Sequence, residues 1–387
     1  MKHDWKYIKL GDIISPAKVV RNGANKKFPV LSITMRDGIV LQSSRFKKSI
    51  ASVDTSDYKV VYNGQLVIAF PIDEGLIYTQ DIVDAGIMSP AYNVWNVDFL
   101  EIDRKFLVLY LHCPFSMAYY KSKLRGTTMR RRSMPKEDLL NMPLPVPSFS
   151  VQQSIISELD KINELIRLKK EQLKDYDNLA QSIFYEMFGD PVVNEKGWDI
   201  ESLGKVCDVR DGTHDSPQYL QESPYILITS KNLVNGKIDN SNVNYISEED
   251  YIAINKRSQV DDGDIIMAMI GTIGNPIIVK LEEHKFCIKN VALIKFFNDS
   301  LVSNKYVHSL LNNESYLTFI KSQNKGGTQK FVALGTIRKL PIPIPPLSYQ
   351  QQYAQRIELI EQQKAEVQRT IKDLETLLAS RMQYWFD

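Results

Sequence analysis

A chain of 387 residues with 43% hydrophobic and 24% charged residues has material for two or three packed cores, which excludes a disordered or low-complexity protein. No apolar run approaches the roughly 18 residues of a membrane span, so no transmembrane helix is expected, and Met1-Lys2-His3-Asp4-Trp5 lacks the apolar region of a signal peptide. The net charge of +2 hides an asymmetry: residues 1–147 carry +7, residues 148–190 carry −3, and residues 191–346 and 347–387 carry −1 each.

A basic first part is consistent with a polyanionic partner. Cys113, Cys207 and Cys287 are scattered and odd in number, which suits reduced, core-filling thiols and a cytoplasmic location.

In chain order, the opening Trp5-Lys6-Tyr7-Ile8-Lys9-Leu10-Gly11-Asp12-Ile13 is matched by Trp198-Asp199-Ile200-Glu201-Ser202-Leu203-Gly204-Lys205-Val206. Strand-like segments follow in both halves. Phe28-Pro29-Val30-Leu31-Ser32-Ile33-Thr34 corresponds to Tyr225-Ile226-Leu227-Ile228-Thr229. Each precedes a basic residue and a Gly turn, Arg36 with Gly38 and Lys231-Asn232 with Gly236. A further strand follows Asn63-Gly64 in the first half and Asp262-Gly263 in the second, and a helix is expected around 104–123 and again around 304–323. Short strands bounded by Gly, Asn and Asp, with helices behind them, predict a mixed sheet domain in each half.

Both halves close on a polar loop. The first runs Lys121-Ser122-Lys123-Leu124-Arg125-Gly126-Thr127-Thr128-Met129-Arg130-Arg131-Arg132, the second Lys321-Ser322-Gln323-Asn324-Lys325-Gly326-Gly327-Thr328-Gln329-Lys330. Glycine lets backbone approach a partner, Thr hydroxyls and backbone N–H groups bond phosphate, and Arg and Lys bond phosphate or guanine edges. A single loop of this kind reads as a solvated charge run; the same type at the same place twice points to nucleic acid. The second half adds Asp211-Gly212-Thr213-His214-Asp215-Ser216-Pro217-Gln218-Tyr219, dense in side chains that read base edges. His214 has no companion at metal-ligand spacing, so no metal is expected.

After each loop comes a Pro-rich lead-in, Met142-Pro143-Leu144-Pro145-Val146-Pro147 and Leu340-Pro341-Ile342-Pro343-Ile344-Pro345. A long helix then follows, predicted over 148–188. Its apolar positions Val151, Ile155, Leu159, Ile162, Ile166, Leu173, Tyr176, Ala180, Ile183 and Met187 keep the alternating three-and-four spacing of a coiled-coil seam, with one gap across Lys169. Gly189 and Pro191 end it. The second copy carries Tyr349, Tyr353, Ile357, Ile360, Val367, Ile371, Leu374, Leu378 and Trp385 on the same grid, 198 residues later, and Gln152-Gln153 coincides with Gln350-Gln351. Two matched seams in one chain predict that the helices pair with each other, with Leu159, Ile162, Ile166 and Leu173 on one side and Ile357, Ile360, Val367 and Ile371 on the other.

Catalytic motifs do not emerge. Ser89-Pro90-Ala91-Tyr92 lacks the second proline of an amino-methyltransferase motif, and no Phe-x-Gly-x-Gly segment offers an S-adenosylmethionine site. Asp264 with Glu283-His284-Lys285 imitates a nuclease set through a common tripeptide pattern, and Gly271-Thr272-Ile273-Gly274 lacks the Lys of a P-loop.

The tandem halves, the paired long helices, the Pro-x-Pro-x-Pro lead-ins with Gln-Gln behind them, Asp211-Gly212-Thr213-His214 and Leu31-Ser32-Ile33-Thr34 together resemble the specificity (S) subunits of type I restriction-modification systems, along essentially the whole chain. That resemblance implies an α+β chain of four parts: a first target recognition domain (1–147), a first long helix (148–190), a second target recognition domain (191–346) and a second long helix (347–387). The helices would form an antiparallel intramolecular coiled coil that fixes the spacer of a bipartite double-stranded DNA site.

It also implies two methyltransferase subunits and two restriction subunits as partners. S-adenosylmethionine, ATP and Mg would be held by those partners, with no cofactor, metal or catalytic residue in this chain and no membrane association. Candidate DNA contacts are Arg36, Arg125, Thr127, Thr128, Arg130, Arg131, Arg132, Thr213, His214, Ser216, Gln218, Lys231, Asn232, Lys325, Thr328, Gln329 and Lys330. The competing readings are a single-chain methyltransferase or nuclease with duplicated recognition domains, which the missing motifs disfavour, and a pure oligomerisation protein.

Overall fold

The computed structural model describes residues 4–386 apart from 24–27, 36, 46–53, 126–132, 235, 272, 282–284 and 324–330. The chain divides into two compact units, one of residues 1–170 with 369–387 and the other of residues 171–368. Each unit therefore joins one globular part to pieces of both long helices.

In the first unit, strand Lys6–Lys9 pairs antiparallel with Pro143–Val146. The prolines of the lead-in alternate, so only Leu144 and Val146 present N–H groups, and an edge-type pairing is the arrangement that tolerates this. An antiparallel sheet runs Ile14–Pro16, Asn93–Val97, Leu66–Ile68, Ile77–Thr79. Beside it lie the hairpin Leu31–Thr34 with Gly38–Leu41 and the pair Lys59–Tyr62 with Ala85–Met88.

The expected helix around 104–123 is two helices, Arg104–Leu111 and Pro114–Lys123. The break has a local cause. Pro114 is tolerated only in a first turn, and Cys113 in extended backbone caps the second helix. The core gathers Leu10, Leu66, Phe106, Tyr110, Ile155 and Leu159 with Phe386 of the second long helix.

The second unit repeats this frame. Asp199–Ser202 pairs with Pro341–Ile344, and the antiparallel sheet runs Cys207–Asp211, Val291–Phe296, Ile265–Ala268, Gly274–Ile278. Tyr225–Thr229 pairs in parallel with Lys285–Lys289; the first unit keeps one parallel bridge of this kind, Val30 with Ile87. The expected helix around 304–323 is again two, Asn304–Asn312 and Glu314–Ser322, with Asn313 as the cap between them.

Each long helix spans 40 residues, Phe149–Phe188 and Leu347–Phe386, or about 60 Å. Ile155, Leu159, Ile162, Ile166, Tyr353, Ile360, Val367 and Ile371 are buried, as the seam predicts, while Leu173 and Ile357 are half-buried. Tyr349 departs from the grid: it is 44% exposed, with its ring 6.1 Å from that of Trp198. Phe184, one residue past the predicted Ile183, is the more buried of the two and meets Tyr353 at 5.8 Å.

The pairing is antiparallel within each unit. In the first, Glu158 meets Arg381 and Lys170 meets Glu375. In the second, Asp177 meets Lys364 at 2.9 Å, and Phe188, further along, meets Tyr353 at 5.1 Å. Burying each aliphatic seam side chain contributes roughly 1.5–3 kcal/mol.

The Gln-Gln pair now has a physical reason. Gln152 is fully buried; its Oε1 accepts from Asp103 N at 2.7 Å, and its Nε2 donates to Glu101 O at 2.9 Å and Pro147 O at 2.8 Å. Gln350 repeats the arrangement with Ser303 N at 2.8 Å and Leu301 O and Pro345 O at 2.9 Å each. One amide thus satisfies three backbone groups and locks each long helix to the start of the helix pair in its own unit. The adjacent Gln153 adds a bond to the capping carboxylate of Asp103 at 2.9 Å.

Candidate nucleic-acid interface

The best-defined candidate surface is built in the second unit, where the sheet strand ending at Asp211 runs into the polar loop. Gly212 N donates to Val291 O at 3.0 Å, Thr213 N to Ile288 O at 3.0 Å, and Asn290 N back to Thr213 O at 3.2 Å. A Cβ on Gly212 would lie 2.2 Å from Ile288 O, so this close approach of two backbones requires glycine. The loop is fixed at its root, and its side chains are presented from a rigid edge.

Four charged or polar side chains converge there. His214 Nε2 lies 2.8 Å from Asp211 Oδ2, and Nδ1 lies 2.8 Å from Asn290 Oδ1. Arg257, from helix Glu248–Ser258, donates to the other oxygen of Asp211. The Asp211 side chain is 7% exposed, while His214 and Arg257 are 60% and 65% exposed, so a buried carboxylate supports two outward-facing basic groups. The hydrogen bonds to Asn290 and Asp211 hold the imidazole pKa above its ordinary 6.5, against partial burial and the Arg257 charge. Lys289 Nζ donates to Ser216 Oγ, and Thr213 Oγ1 accepts from Asp215 N at 3.1 Å. Gln218 and Tyr219 are exposed beyond them.

His214, Ser216 and Gln218 are exposed along this loop, and Thr213 is half-buried at its root. His214 differs from the expectation in one respect: both ring nitrogens are engaged within the chain, which leaves its C–H edge to face a ligand. Lys231 is exposed, but Asn232 is corrected. It is 6% exposed, its Oδ1 accepts from Thr229 N and Oγ1 at 3.0 Å each, and its Nδ2 donates to Asp239 O and Asn242 O. It shapes a turn and has no group left for DNA.

In the first unit, Arg125 exchanges both backbone hydrogen bonds with Ser133 at 3.1 Å, closing the base of the loop, and its guanidinium lies 3.5 Å from Asp138. Arg36, Thr127, Thr128, Arg130, Arg131, Arg132, Lys325, Thr328, Gln329 and Lys330 lie outside the described residues. The root of the second loop is closed by the bond from Val332 N to Met269 O at 2.9 Å.

Arg257, Lys289 and Asn290 were missed from sequence. Asn290 carries a local signal, an Asn between two strand-like runs, and in the structure its φ is 54°. Arg257 carries none, because its approach to Asp211 is a tertiary event.

Asp264, whose nuclease-like pattern the sequence reading set aside, has a structural role. Asp264 is buried against Lys295 at 2.5 Å and accepts from Asp261 N at 2.7 Å, and burial pushes its carboxyl up. It is a structural ion pair, and Glu283 and His284 lie outside the described residues. Among the described residues, no group of three or more His, Cys, Asp or Glu is placed to hold a metal, and no helix is long and apolar enough to cross a membrane.

The family model described as the type I restriction modification DNA specificity domain matches residues 195–376, which include this whole cluster. Residues 195–376 thus carry a type I restriction modification DNA specificity domain.

The MjaVIII specificity subunit of Methanocaldococcus jannaschii is 21% identical, over 97% of this chain and 92% of that protein. A chain solved in work on complex assembly and conformational transition of the type I R-M system superposes with a TM-score of 0.62 at 20% identity, covering 99% of this chain and 97% of its own. The S subunit from M. genitalium gives 0.50 at 13% identity, covering 100% of this chain and 97% of its own. At these identities the structural likeness concerns the fold alone, mixed helix and sheet with two long helices.

Proposed function

We propose that this chain is the DNA sequence-specificity subunit of a type I restriction-modification complex. The observation that carries the reading is the duplicated frame. Two units use the same glutamine clamp and the same proline-strand pairing, yet differ in the sequences of their loops. A conserved frame with divergent exposed loops is the arrangement expected of two readers, each with its own half of a bipartite duplex site. In the second unit the reading edge is the one built on Asp211, Arg257 and Lys289; in the first it is the arginine loop rooted at Arg125 and Ser133.

The chain itself performs no chemistry in this reading. It docks two methyltransferase subunits, which bind S-adenosylmethionine, and two restriction subunits, which use ATP and Mg, in the cytoplasm. Exposed surface on the long helices would suit such partners. An open groove of about 950 Å3 in the first unit lies between Arg104 and Lys105 on one side and Gln153, Ile156, Asp160 and Lys161 on the other. Leu165 and Leu168 are 47% and 46% exposed on the same long helix.

The test is co-expression of the full chain with a methyltransferase subunit, followed by mapping of methylated adenines. A two-part motif that changes when residues 211–219 are exchanged is expected. Methylation by the purified chain alone, or a pattern indifferent to those residues, would overturn the proposal.

A further inference from the structure

The arrangement around His214 supports a step beyond the assignment of the loop as a reader, although it rests on that assignment. Both ring nitrogens face an oxygen at 2.8 Å, Asn290 Oδ1 on one side and Asp211 Oδ2 on the other. A neutral imidazole has one N–H and satisfies one acceptor; the imidazolium has two and satisfies both. The three residues come from different places, the end of strand Cys207–Asp211, the loop that follows it, and the turn after Lys285–Lys289. The ring is therefore a strut between the loop and the two elements beneath it. We propose that Asp211 and Asn290 are positioning residues that act through a protonated His214, and that the second unit reads its half-site only while this strut is intact.

The charges facing the ring are those of Asp211, from its own strand, and Arg257, from helix Glu248–Ser258. Lys289, beside Asn290, is turned to Ser216. Asp211 favours the cation and Arg257 opposes it, and the hydrogen bonds decide the balance toward the cation. The folded pKa is raised, so the strut is present below it and is lost as pH rises through it. Turning the Asn290 amide would let a neutral ring accept from Nδ2. A carboxylate at that position removes this option, because when ionised it only accepts.

Two measurements on the full chain test the proposal. The first is the nitrogen spectrum of histidine-labelled protein, which has five histidines, with His214 assigned by its loss in His214→Gln. Both His214 nitrogens should carry protons at pH 6. Deprotonation should shift to lower pH in Asn290→Gly, which tolerates the positive φ, and to higher pH in Asn290→Asp. The second is a degenerate-site binding selection across pH 5.5 to 8.5 with duplex DNA. Preference at one half-site should fall by about tenfold as the ring deprotonates, with the other half-site unchanged. Asn290→Gly should lose that preference at lower pH, and Asn290→Asp should keep it to higher pH.

A bare His214 nitrogen at pH 6 would overturn the strut. A preference that ignores pH while the ring titrates would overturn its positioning role. A chain with no sequence preference at any pH would overturn the specificity reading itself, and the nitrogen spectra would still decide the protonation of His214.

Discussion

Arg381 and Glu158 join the two long helices within the first unit: guanidinium Nε and Nη2 both donate to the carboxylate, and Trp385 Nε1 reaches the same Oε2 at 3.1 Å. These bonds, led by that from Arg381, hold the Glu158 carboxyl below its ordinary range. A depressed carboxyl pKa gives stability that is present above the unfolded value and disappears as pH falls through the folded one. Glu158→Gln should lower the thermal midpoint by a few degrees at pH 7 and make less difference at pH 3. Melting curves at the two values check this; an equal loss at both would assign the effect to packing.

Gln152 and Gln350 offer a sharper stability test, because each is fully buried and each satisfies three backbone groups. Removing the amide leaves those groups without this partner, and of them Pro147 O and Pro345 O make buried bonds. Gln152→Ala and Gln350→Ala should each cost about 2–4 kcal/mol. Denaturant titration measures the loss, and proteolysis should locate the loosened segment near Asp103 in the first variant and near Ser303 in the second.

The arginine loop of the first half carries a salt-dependent prediction. Replacing Arg130, Arg131 and Arg132 with Ala should weaken DNA binding and lower the slope of log affinity against log salt by up to about three, one per lost phosphate contact. Sequence preference should persist if the contacts are to phosphate alone. An unchanged slope in a folded variant would remove these residues from the interface.

A half-chain should assemble with itself. Residues 1–190 keep one globular part and one full long helix but lose the apolar side chains of 369–387, among them Phe386, whose ring lies 5.6 Å from Phe106 and 5.7 Å from Tyr110. In a two-fold dimer, Phe188 of a second copy stands at the equivalent place, 198 residues earlier. We expect a homodimer by light scattering and an inverted-repeat DNA site by binding selection. The dimer should be less stable than the full chain, because position 183 is Ile and position 187 is Met where the second helix has Arg381 and Trp385. A soluble, folded monomer would contradict the pairing.

The frame was legible in the sequence because periodic burial writes itself into residue spacing. Ile155, Leu159, Ile360 and Val367 were placed by their intervals alone, and the repeated lead-ins marked where each long helix starts. The break at Pro114 was legible in principle, through the proline rule. The strand character of Pro143–Val146 was not, since its reason is the pairing with Lys6–Lys9, far away in the chain. The same holds for the candidate edge around Asp211. Asp211 and His214 were visible as a polar run, while Arg257 and Asn290 join them only when a helix and a turn from elsewhere are folded into place. Asn232 misled because a polar residue beside a Gly turn looks alike whether it faces solvent or closes the turn on itself.

Lys364 has a consequence for how the molecule is made. It occupies the position where the first long helix has Ile166, and its ammonium reaches Asp177 at 2.9 Å. The first helix leaves the ribosome well before the second, and neighbouring ribosomes on one message release identical first helices close together. Two such helices can pair, but the pairing sets Ile166 where Asp177 finds Lys364, and Ile183 where Glu158 finds Arg381. Once the second helix emerges it supplies both missing charges from within the same chain. The asymmetry of the two copies therefore favours pairing within one chain over pairing between two first helices during synthesis.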